Sequence, residues 1–403
     1  MGLLMRRKPS GAVEVKTTKR PDDTDIKQQR LRAWNPVMTP KAYVGVFFVL
    51  GALFIIIGVV LGERQKSLVV QRKQYDGPGT PESNADCKIR TADAGVRCTV
   101  TLDVDEKMEG PLHVFYEIDN FYQNHRRYAK SMSWPQLNRG KVWSSNLVKD
   151  DCYPLVKNGS KVLHPCGVVA NTLFNDVIKL VRPLRLSMKE NNIAWKTDLT
   201  GIYTQPQGFE WMEVDVAATA NCEDKYCPEA ACTAEGITPP CSKHVCRGGY
   251  YDRYTNGNGD VVQCAKGQHV LFHYKDPENQ QYLYETFPQV ISPIVGVRNE
   301  HFAVWMKTAG LPQFRKLYGR INDDVSKDTR LVFDIENNFD VHAFGGRKYI
   351  VVSTLQGFQN GFLAVAYLVV GILAVGFGVL FAVLQCISPR KMGDPRHIPW
   401  LQQ

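Results

Sequence analysis

The chain has 403 residues, of which 44% are hydrophobic and 22% charged, and its formal net charge is +9. This length and apolar content exclude a disordered protein and leave room for one large domain or two of ordinary size. The mean hydropathy of −0.25 is too low for a transporter with many spans, although it allows one or two.

Two segments are long enough and apolar enough to cross a bilayer. Residues 42–62 contain no charged side chain, and residues 362–387 contain none either, with Gln385 as the most polar member. A spanning helix needs about 20 apolar residues. The sequence therefore predicts two transmembrane helices. The first should act as a signal anchor, because no cleavable signal peptide is evident before it.

The charge of the flanking tails predicts the orientation. Residues 1–41 hold ten Lys/Arg and four Asp/Glu, and residues 388–403 hold three and one, whereas the segment between the spans is close to neutral. Positively charged flanks stay in the cytosol. We expect both tails to be cytosolic and residues 63–361 to form an exoplasmic or lumenal domain. A nucleic-acid partner is not expected, since the basic excess lies beside the membrane.

Apolar periodicity predicts the structure of residues 63–361. Period-2 alternation, which is typical of strands with one buried face, predicts strands at 98–104, 112–118, 209–214, 269–274, 331–335 and 349–353. A 3.6-residue period predicts one helix over Val169–Val181 and another over Leu311–Ile321. The expected fold is two transmembrane helices plus a large, disulfide-bonded, antiparallel β-sandwich with a few short helices.

The cysteines support an oxidising compartment for this domain. Ten of the eleven lie between the spans: Cys87, Cys98, Cys152, Cys166, Cys222, Cys227, Cys232, Cys241, Cys246 and Cys264. An even number there predicts disulfides. The six cysteines of 222–264 predict a surface insertion stapled by three local bridges, and their pairing stays open among 15 arrangements. The single sequon predicts glycosylation of Asn158 on the same side.

No catalytic signature is evident. The sequence lacks a G-x-S-x-G elbow, an H-E-x-x-H helix and a P-loop, so a membrane-tethered lumenal enzyme has no constellation to support it. The spans carry no charged residue for a polar substrate, which argues against transport by this chain alone. Small residues at Gly58/Gly62 and at Gly371, Ala374 and Gly378 indicate close helix approach.

Several runs are specific enough to indicate a family. They are Lys19–Thr24, Lys27–Pro36, Asn120-Phe-Tyr-Gln-Asn-His-Arg-Arg-Tyr128, Pro165–Gly167, Ala170–Asp176, Ile193–Trp195, Val304–Met306, Phe314–Ile321, Phe344–Lys348 and Pro389–Asp394. In this order and spacing the chain resembles the Cdc-fifty/Lem-three family, the accessory (β) subunits of phospholipid flippases. The resemblance runs from about residue 19 to residue 400.

The resemblance implies a non-catalytic subunit that forms a heterodimer with a type-IV P-type ATPase. It would support ER exit, stability and phospholipid flipping by that partner, in the ER, Golgi, endosomes or plasma membrane, and contact membrane lipids. The chain would need no cofactor, since ATP and Mg²⁺ would bind the partner. The resemblance also implies Cys87–Cys98 and Cys152–Cys166 bridges. Three features depart from the family pattern: the insertion, Asn175-Asp-Val177 in place of a sequon, and Leu355-Gln-Gly357 in place of a Trp.

Two segments are predicted to bind the partner. The cytosolic one comprises Lys27, Gln28, Gln29, Arg30 and Trp34, and the exoplasmic one Asn120, Phe121, Tyr122, Gln123, Asn124, His125, Arg126, Arg127 and Tyr128. The second has an alternative interpretation, a buried corner that follows a strand and in which Arg126 and Arg127 satisfy backbone carbonyls. An alternative for the whole chain is a ligand-gated cation channel subunit with two spans and a disulfide-rich ectodomain.

Overall fold

A computed structural model describes residues 24–29, 39–66, 68–89, 95–141, 145–214, 222, 227–246, 253–255, 261–263, 267–354 and 361–389. The chain forms two compact units. One contains the two long apolar helices, and the other is the β-rich domain between them.

The two long helices are α1, Pro40–Lys66, and α9, Gly361–Ile387. Their apolar stretches have mean hydropathies of 3.0 and 2.6, so both are long and apolar enough to cross a membrane. Each has 27 residues and therefore extends about 40 Å at 1.5 Å per residue.

The two helices pack on each other through glycines. A Cβ added to Gly51 would lie 2.6 Å from Cγ2 of Val375 and 3.0 Å from the carbonyl oxygen of Gly371, and one added to Gly58 would lie 2.7 Å from Cγ of Leu368. Such close approach requires residues without side chains. Gly58 and Gly371 therefore have the role expected from the sequence, whereas Gly62 has no neighbour within 4 Å and Gly51 takes its place.

The β-rich domain is built from sixteen short strands and seven short α-helices within the described residues. The strands are β1 Val70–Asp76, β2 Val96–Asp103, β3 Leu112–Asp119, β4 Lys157–Asn158, β5 Lys161–His164, β6 Val177–Arg182, β7 Met188–Lys189, β8 Glu210–Val214, β9 Ser242–Val245, β10 Arg253–Thr255, β11 Val261–Gln263, β12 His269–His273, β13 Gln280–Tyr282, β14 Phe314–Ile321, β15 Arg330–Asn337 and β16 Arg347–Ser353. The helices are α2 Arg126–Lys130, α3 Trp134–Arg139, α4 Ser145–Cys152, α5 Val168–Asn171, α6 Glu229–Ala234, α7 Leu283–Thr286 and α8 Glu300–Met306.

Two antiparallel sheets form a sandwich. The larger has the order β1-β16-β3-β14-β7, and the smaller β2-β15-β6. One core cluster contains inward residues of both sheets, such as Val114 and Ile350 from the first and Val100 and Phe333 from the second, all unexposed. The predicted antiparallel β-rich fold is confirmed, and all six predicted strands are present.

The two predicted helices are wrong. Residues 314–321 form β14, whose register shifts between Leu317 and Gly319. Because of this bulge, the adjacent Leu317 and Tyr318 are both buried. The apolar residues of this strand therefore have the i, i+3, i+4 spacing that is typical of a helix. In the other segment, α5 ends at Asn171 and β6 begins at Val177, so one apolar run spans two elements.

Four disulfides join described residues: Cys87–Cys98, Cys152–Cys166, Cys222–Cys227 and Cys232–Cys241. The first two are the pairs implied by the family resemblance. Cys246 is also disulfide-bonded, and Cys264 lies outside the described residues.

The insertion at 222–264 is not an independent excursion, which corrects the expectation from its cysteine spacing. Its strand β9 pairs with β12, which pairs in turn with β8, in a three-stranded sheet. Cys232, Ile237 and Cys241 pack with Leu271 of β12 in a small core. The insertion therefore extends a sheet of the parent domain, while its two described bridges are local as predicted.

Replacing Cys152 by Ser is expected to reduce the free energy of unfolding of the β-rich domain by about 3 kcal/mol, the chain-entropy value for a 15-residue loop. Both cysteines of this bridge are fully buried, so no solvent contact compensates for the loss. Thermal unfolding of the purified full chain measures the change. The Cys386→Ser variant is the control, because Cys386 is a free cysteine, and an unfolding temperature equal to that of this control would contradict the assignment.

Candidate functional site

The chain turns sharply where β3 ends. Asn120 adopts a left-handed backbone conformation with φ +64°, which asparagine tolerates better than most residues. Its Nδ2 donates to the carbonyl oxygen of Phe344 at 2.7 Å. Residues 120–130, here called the corner, then leave the sheet and end in helix α2.

Phe121 anchors the corner in the core. Its ring contacts five aromatic rings at centroid distances from 5.2 to 6.3 Å: those of Tyr128, Trp305, Phe314, Phe339 and Phe344. Burial raises the pKa of Tyr128 to about 12, and its hydroxyl lies 2.9 Å from Oγ1 of Thr172. Both residues of the corner therefore stabilise the fold.

Three hydrogen bonds join the corner to residues 309–312, the segment before β14. The Ala309 amide donates to Oε1 of the fully buried Gln123 at 2.9 Å. Nδ2 of Asn124 donates to the Gly310 carbonyl at 2.9 Å, and the Phe121 amide to the Pro312 carbonyl at 3.0 Å. The two segments thus form one fixed surface.

The outer side of the corner consists of Tyr122, His125, Arg126 and Arg127. All four are exposed, and Tyr122 retains 56% of its accessible surface. Neither arginine forms a side-chain hydrogen bond or ion pair with the described residues. The expectation that Arg126 and Arg127 satisfy backbone carbonyls is therefore wrong, and the alternative of a buried corner holds only for the inner residues.

The exposed surface continues beyond the predicted residues. Leu311 is 70% exposed and Trp195 71% exposed. Nζ of Lys307 lies 3.8 Å from the centre of the Trp195 ring and 2.5 Å from Oδ2 of Asp198. Trp195 belongs to the runs that indicate the family. Only the fold shows that Trp195 lies beside Lys307 and that the following residues, which include Leu311, are hydrogen-bonded to the corner.

The side chain of Lys316 fixes the backbone at the C-terminal end of α8. Its buried Nζ donates to the carbonyls of Trp305 at 2.6 Å and Lys307 at 2.7 Å. Burial lowers the pKa of Lys316 to about 7. The carbonyls at the C-terminal end of α8 favour the ammonium form, because the helix dipole is negative there.

A second polar group lies inside the sandwich, and it comprises Asp76, Asp176 and Lys348, here called the buried charge cluster. All three are unexposed. Nζ of Lys348 lies 2.9 Å from Oδ2 of Asp176 and 3.4 Å from Oδ2 of Asp76, and it also donates to Asn337 and to the Phe339 carbonyl. Asp176 accepts a further hydrogen bond from Tyr75 at 2.7 Å. The cluster is saturated by the protein and buried from any substrate, so it stabilises the fold.

The outer face of the larger sheet carries a third group, centred on Glu117. Its carboxylate accepts from Arg72 at 2.6 Å, from Arg315 at 2.5 Å and from Gln313 at 2.7 Å. Burial raises the pKa of Glu117, but these hydrogen bonds outweigh it and leave the pKa below its usual value. Among the described residues, no three His, Cys, Asp or Glu side chains are arranged to hold a metal.

Replacing Glu117 by Gln is expected to cost about 2 kcal/mol of stability above pH 5, because two guanidinium groups lose their shared carboxylate. A carboxyl whose pKa is lowered by folding stabilises the fold above its unfolded pKa. That contribution is lost as the pH falls through the folded value. The free energy of unfolding of the wild type, measured with a denaturant, should therefore decrease below about pH 4.5. The variant should lack this part of the pH dependence. Parallel pH profiles for the two proteins would contradict the prediction.

The comparisons with known proteins agree with this architecture. A family model described as the LEM3 (ligand-effect modulator 3) family / CDC50 family matches residues 63–391. The chain belongs to the CDC50 family. "Cell cycle control protein 50A" of Mus musculus is 31% identical, and the match covers 93% of this chain and 91% of that protein.

Two further relatives carry functional names. "Putative ALA-interacting subunit 4" of Arabidopsis thaliana is 30% identical, with coverage of 94% of this chain and 93% of the relative. "Phospholipid-transporting ATPase accessory subunit CDC50" of Chaetomium thermophilum is 26% identical, with coverage of 95% and 91%. Family membership, as a Cdc-fifty/Lem-three protein, is thus confirmed.

The CDC50-family match includes the corner and the buried charge cluster but not the predicted partner-binding residues of the N-terminal tail. Lys27 and Gln29 are exposed on a turn over 25–29, and Gln28 is half-buried. Arg30 and Trp34 lie outside the described residues. Asn158 is exposed at a two-residue turn between β4 and β5, and its Nδ2 donates to Oε1 of Gln281 at 3.0 Å.

Proposed function

We propose that this chain is the non-catalytic accessory subunit of a type-IV P-type ATPase that moves phospholipids toward the cytosolic leaflet. It supports the partner's ER exit, stability and activity, and it is not itself an enzyme. ATP and Mg²⁺ bind the partner, and this chain requires no cofactor. The proposal is supported by family membership and by the names of the relatives, which include an accessory subunit of a phospholipid-transporting ATPase.

The observation that carries the proposal is the rigid, exposed surface around the corner. It presents Tyr122, Arg126 and Trp195, and tyrosine, arginine and tryptophan are the residue types that dominate binding hot spots. Because Phe121 and Gln123 fix the backbone beneath them, little ordering is required on binding. We assign this surface to the ATPase's exoplasmic loops, with both tails of the chain in the cytosol and the complex in the ER, Golgi, endosomes or plasma membrane.

Purification of the tagged full chain in a mild detergent tests the proposal. The expected product is a heterodimer with one ATPase chain, whose ATP turnover depends on phospholipid. A homotrimer without an ATPase would contradict it and favour the ligand-gated channel.

Asn158 is proposed as the glycosylation site of the exoplasmic domain. Its exposure and its place at a tight turn leave room for a glycan, and one N–H of the side chain remains for Gln281. Glycosidase treatment of the native protein tests this, since an unchanged mobility would exclude it.

The cytosolic residues are proposed to contact the partner rather than only to anchor the first helix. Replacing Gln28, Gln29, Arg30 and Trp34 by Ala is expected to change lipid-stimulated ATP turnover by about fivefold, the effect of ~1 kcal/mol. The yield of the complex should stay normal, because these residues are far in the chain from the β-rich domain. The matched control replaces Lys8 and Lys16. These replacements also remove charge from the tail, but at positions farther from the span. Turnover equal to the control's, at normal yield, would leave these residues with a topological role only.

A further inference from the structure

The connection between β6 and β7, residues 183–187, presents an unusually exposed leucine. Leu184 is 93% exposed, more than any other large hydrophobic residue among those the structure describes. Arg182 and Arg185 flank it and are exposed. Neither forms a side-chain hydrogen bond or ion pair with the described part of the chain.

The exposure of Leu184 is fixed by its surroundings. Two residues later, Leu186 is 5% exposed and belongs to the main core, and its amide donates to the Pro183 carbonyl at 3.0 Å. Before the loop, the Ile178 amide donates to the Tyr318 hydroxyl at 2.9 Å. A leucine held outward between two anchored strands is poised to meet a surface.

The strand register shows which end of the sandwich carries this loop. β1 begins at Val70, soon after the first apolar helix, and β16 ends at Ser353, shortly before the second. These two residues are paired. The pairing continues across the sheet from Ser353 to His113, from His113 to Arg320 and from Arg320 to Lys189 of β7.

The loop therefore projects from the end of the sheet at which the chain leaves for both spans. β7 runs antiparallel to β14, which places the residues before Met188 beyond that row. The two ends of the chain that continue into the apolar helices are thus at the same end of the sandwich as Leu184.

Two basic side chains in or beside the neighbouring loops at this end pair with nearby carboxylates. In the β2–β3 and β14–β15 connections, Lys107 contacts Glu109 at 3.2 Å and Asp324 at 3.8 Å. Arg330 contacts Asp103 at 3.1 Å. Within the described residues, the β6–β7 loop differs from these two connections because it combines two exposed cations that lack such partners with an exposed apolar tip.

We propose that the β6–β7 loop enters the headgroup layer of the leaflet that faces the β-rich domain. Leu184 reaches the acyl boundary, where burial of its side chain is favourable, and Arg182 and Arg185 bind lipid phosphates, which guanidinium groups recognise well. The phosphate is common to all phospholipids, so the contact does not select a headgroup. The proposal requires that the apolar helices cross a bilayer, but it does not depend on the ATPase partnership.

A fluorescent probe tests this in the full chain reconstituted in phosphatidylcholine nanodiscs. In a Cys386→Ser background, Leu184→Cys is labelled with an environment-sensitive NBD dye, and nitroxide is carried on the lipid headgroups. Leu311→Cys is the matched control, since Leu311 is also exposed but precedes β14 at the opposite end of the sheet. The dye at 184 should lose most of its emission, and the dye at 311 should keep it. Adding Arg182→Gln and Arg185→Gln should lower the quenching severalfold.

Equal quenching at the two positions would overturn the proposal. A second result would also overturn it. If the dye at 184 were not quenched by the nitroxide lipid and were protected from iodide only in the complex with a protein partner, the loop would be a protein-binding surface. Yield and thermal unfolding of both labelled variants verify that they are folded. Failure to recover an ATPase leaves this measurement unaffected, since the dye is read in the chain alone.

Discussion

Replacing Lys348 by Met is expected to prevent recovery of most of the folded protein. The ammonium group is the cation of the buried charge cluster. Its removal leaves Asp176 buried without a countercharge and leaves Asp76 with only the partly exposed His342, whose Nε2 lies 3.5 Å from Oδ1 of Asp76. Breaking a buried pair in this way typically costs about 3–5 kcal/mol, a large part of the stability of an ordinary domain. Yield and thermal unfolding of the full chain in detergent measure the effect.

Two variants make this result specific. Arg347→Met changes the neighbouring residue, whose exposed guanidinium pairs with Asp119. Solvent screens that contact, so we expect little change. Asp176→Asn keeps the side-chain volume and leaves Lys348 with Asp76, so its effect should be smaller than that of Lys348→Met. If Lys348→Met unfolded at the same temperature as Arg347→Met, the cluster would have no stabilising role.

The strands could be predicted because each has one buried and one exposed face. In β2, Val100 and Leu102 are buried and alternate with the more exposed Thr99, Thr101 and Asp103, a pattern that needs no knowledge of distant residues. The same rule failed at Leu317 and Tyr318. There a bulge turns two adjacent residues inward, and only the pairing with β3 reveals it.

The corner was located from its sequence, but the sequence did not show which of its residues are buried and which are exposed. Phe121 and Tyr122 are adjacent aromatics, yet one is the centre of an aromatic cluster and the other is 56% exposed. The difference depends on Trp305, Phe339 and Phe344, which are more than 180 residues away in the chain. Lys348 likewise meets Asp76 and Asp176 only through the sandwich.

The outer surface of the corner is expected to provide most of the affinity for the ATPase. Replacing Tyr122 by Ala and Arg126 by Glu removes an exposed aromatic and reverses a charge, while Phe121 and Gln123 keep the backbone in place. Hot-spot residues of these types contribute about 2 kcal/mol or more each, so ATPase recovery in a pull-down should fall at least about tenfold.

The control for this result separates binding from folding. Lys327→Glu makes the same kind of charge reversal at an exposed residue of the β14–β15 connection, at the other end of the sheet from the corner. It should leave ATPase recovery unchanged. The Tyr122/Arg126 variant should also unfold at the wild-type temperature, because neither side chain contributes to the core, whereas Phe121→Ala should lower that temperature. Normal ATPase recovery with the Tyr122/Arg126 variant would move the interface away from the corner, and equal losses with Lys327→Glu would show that net charge alone, and not this surface, determines the association.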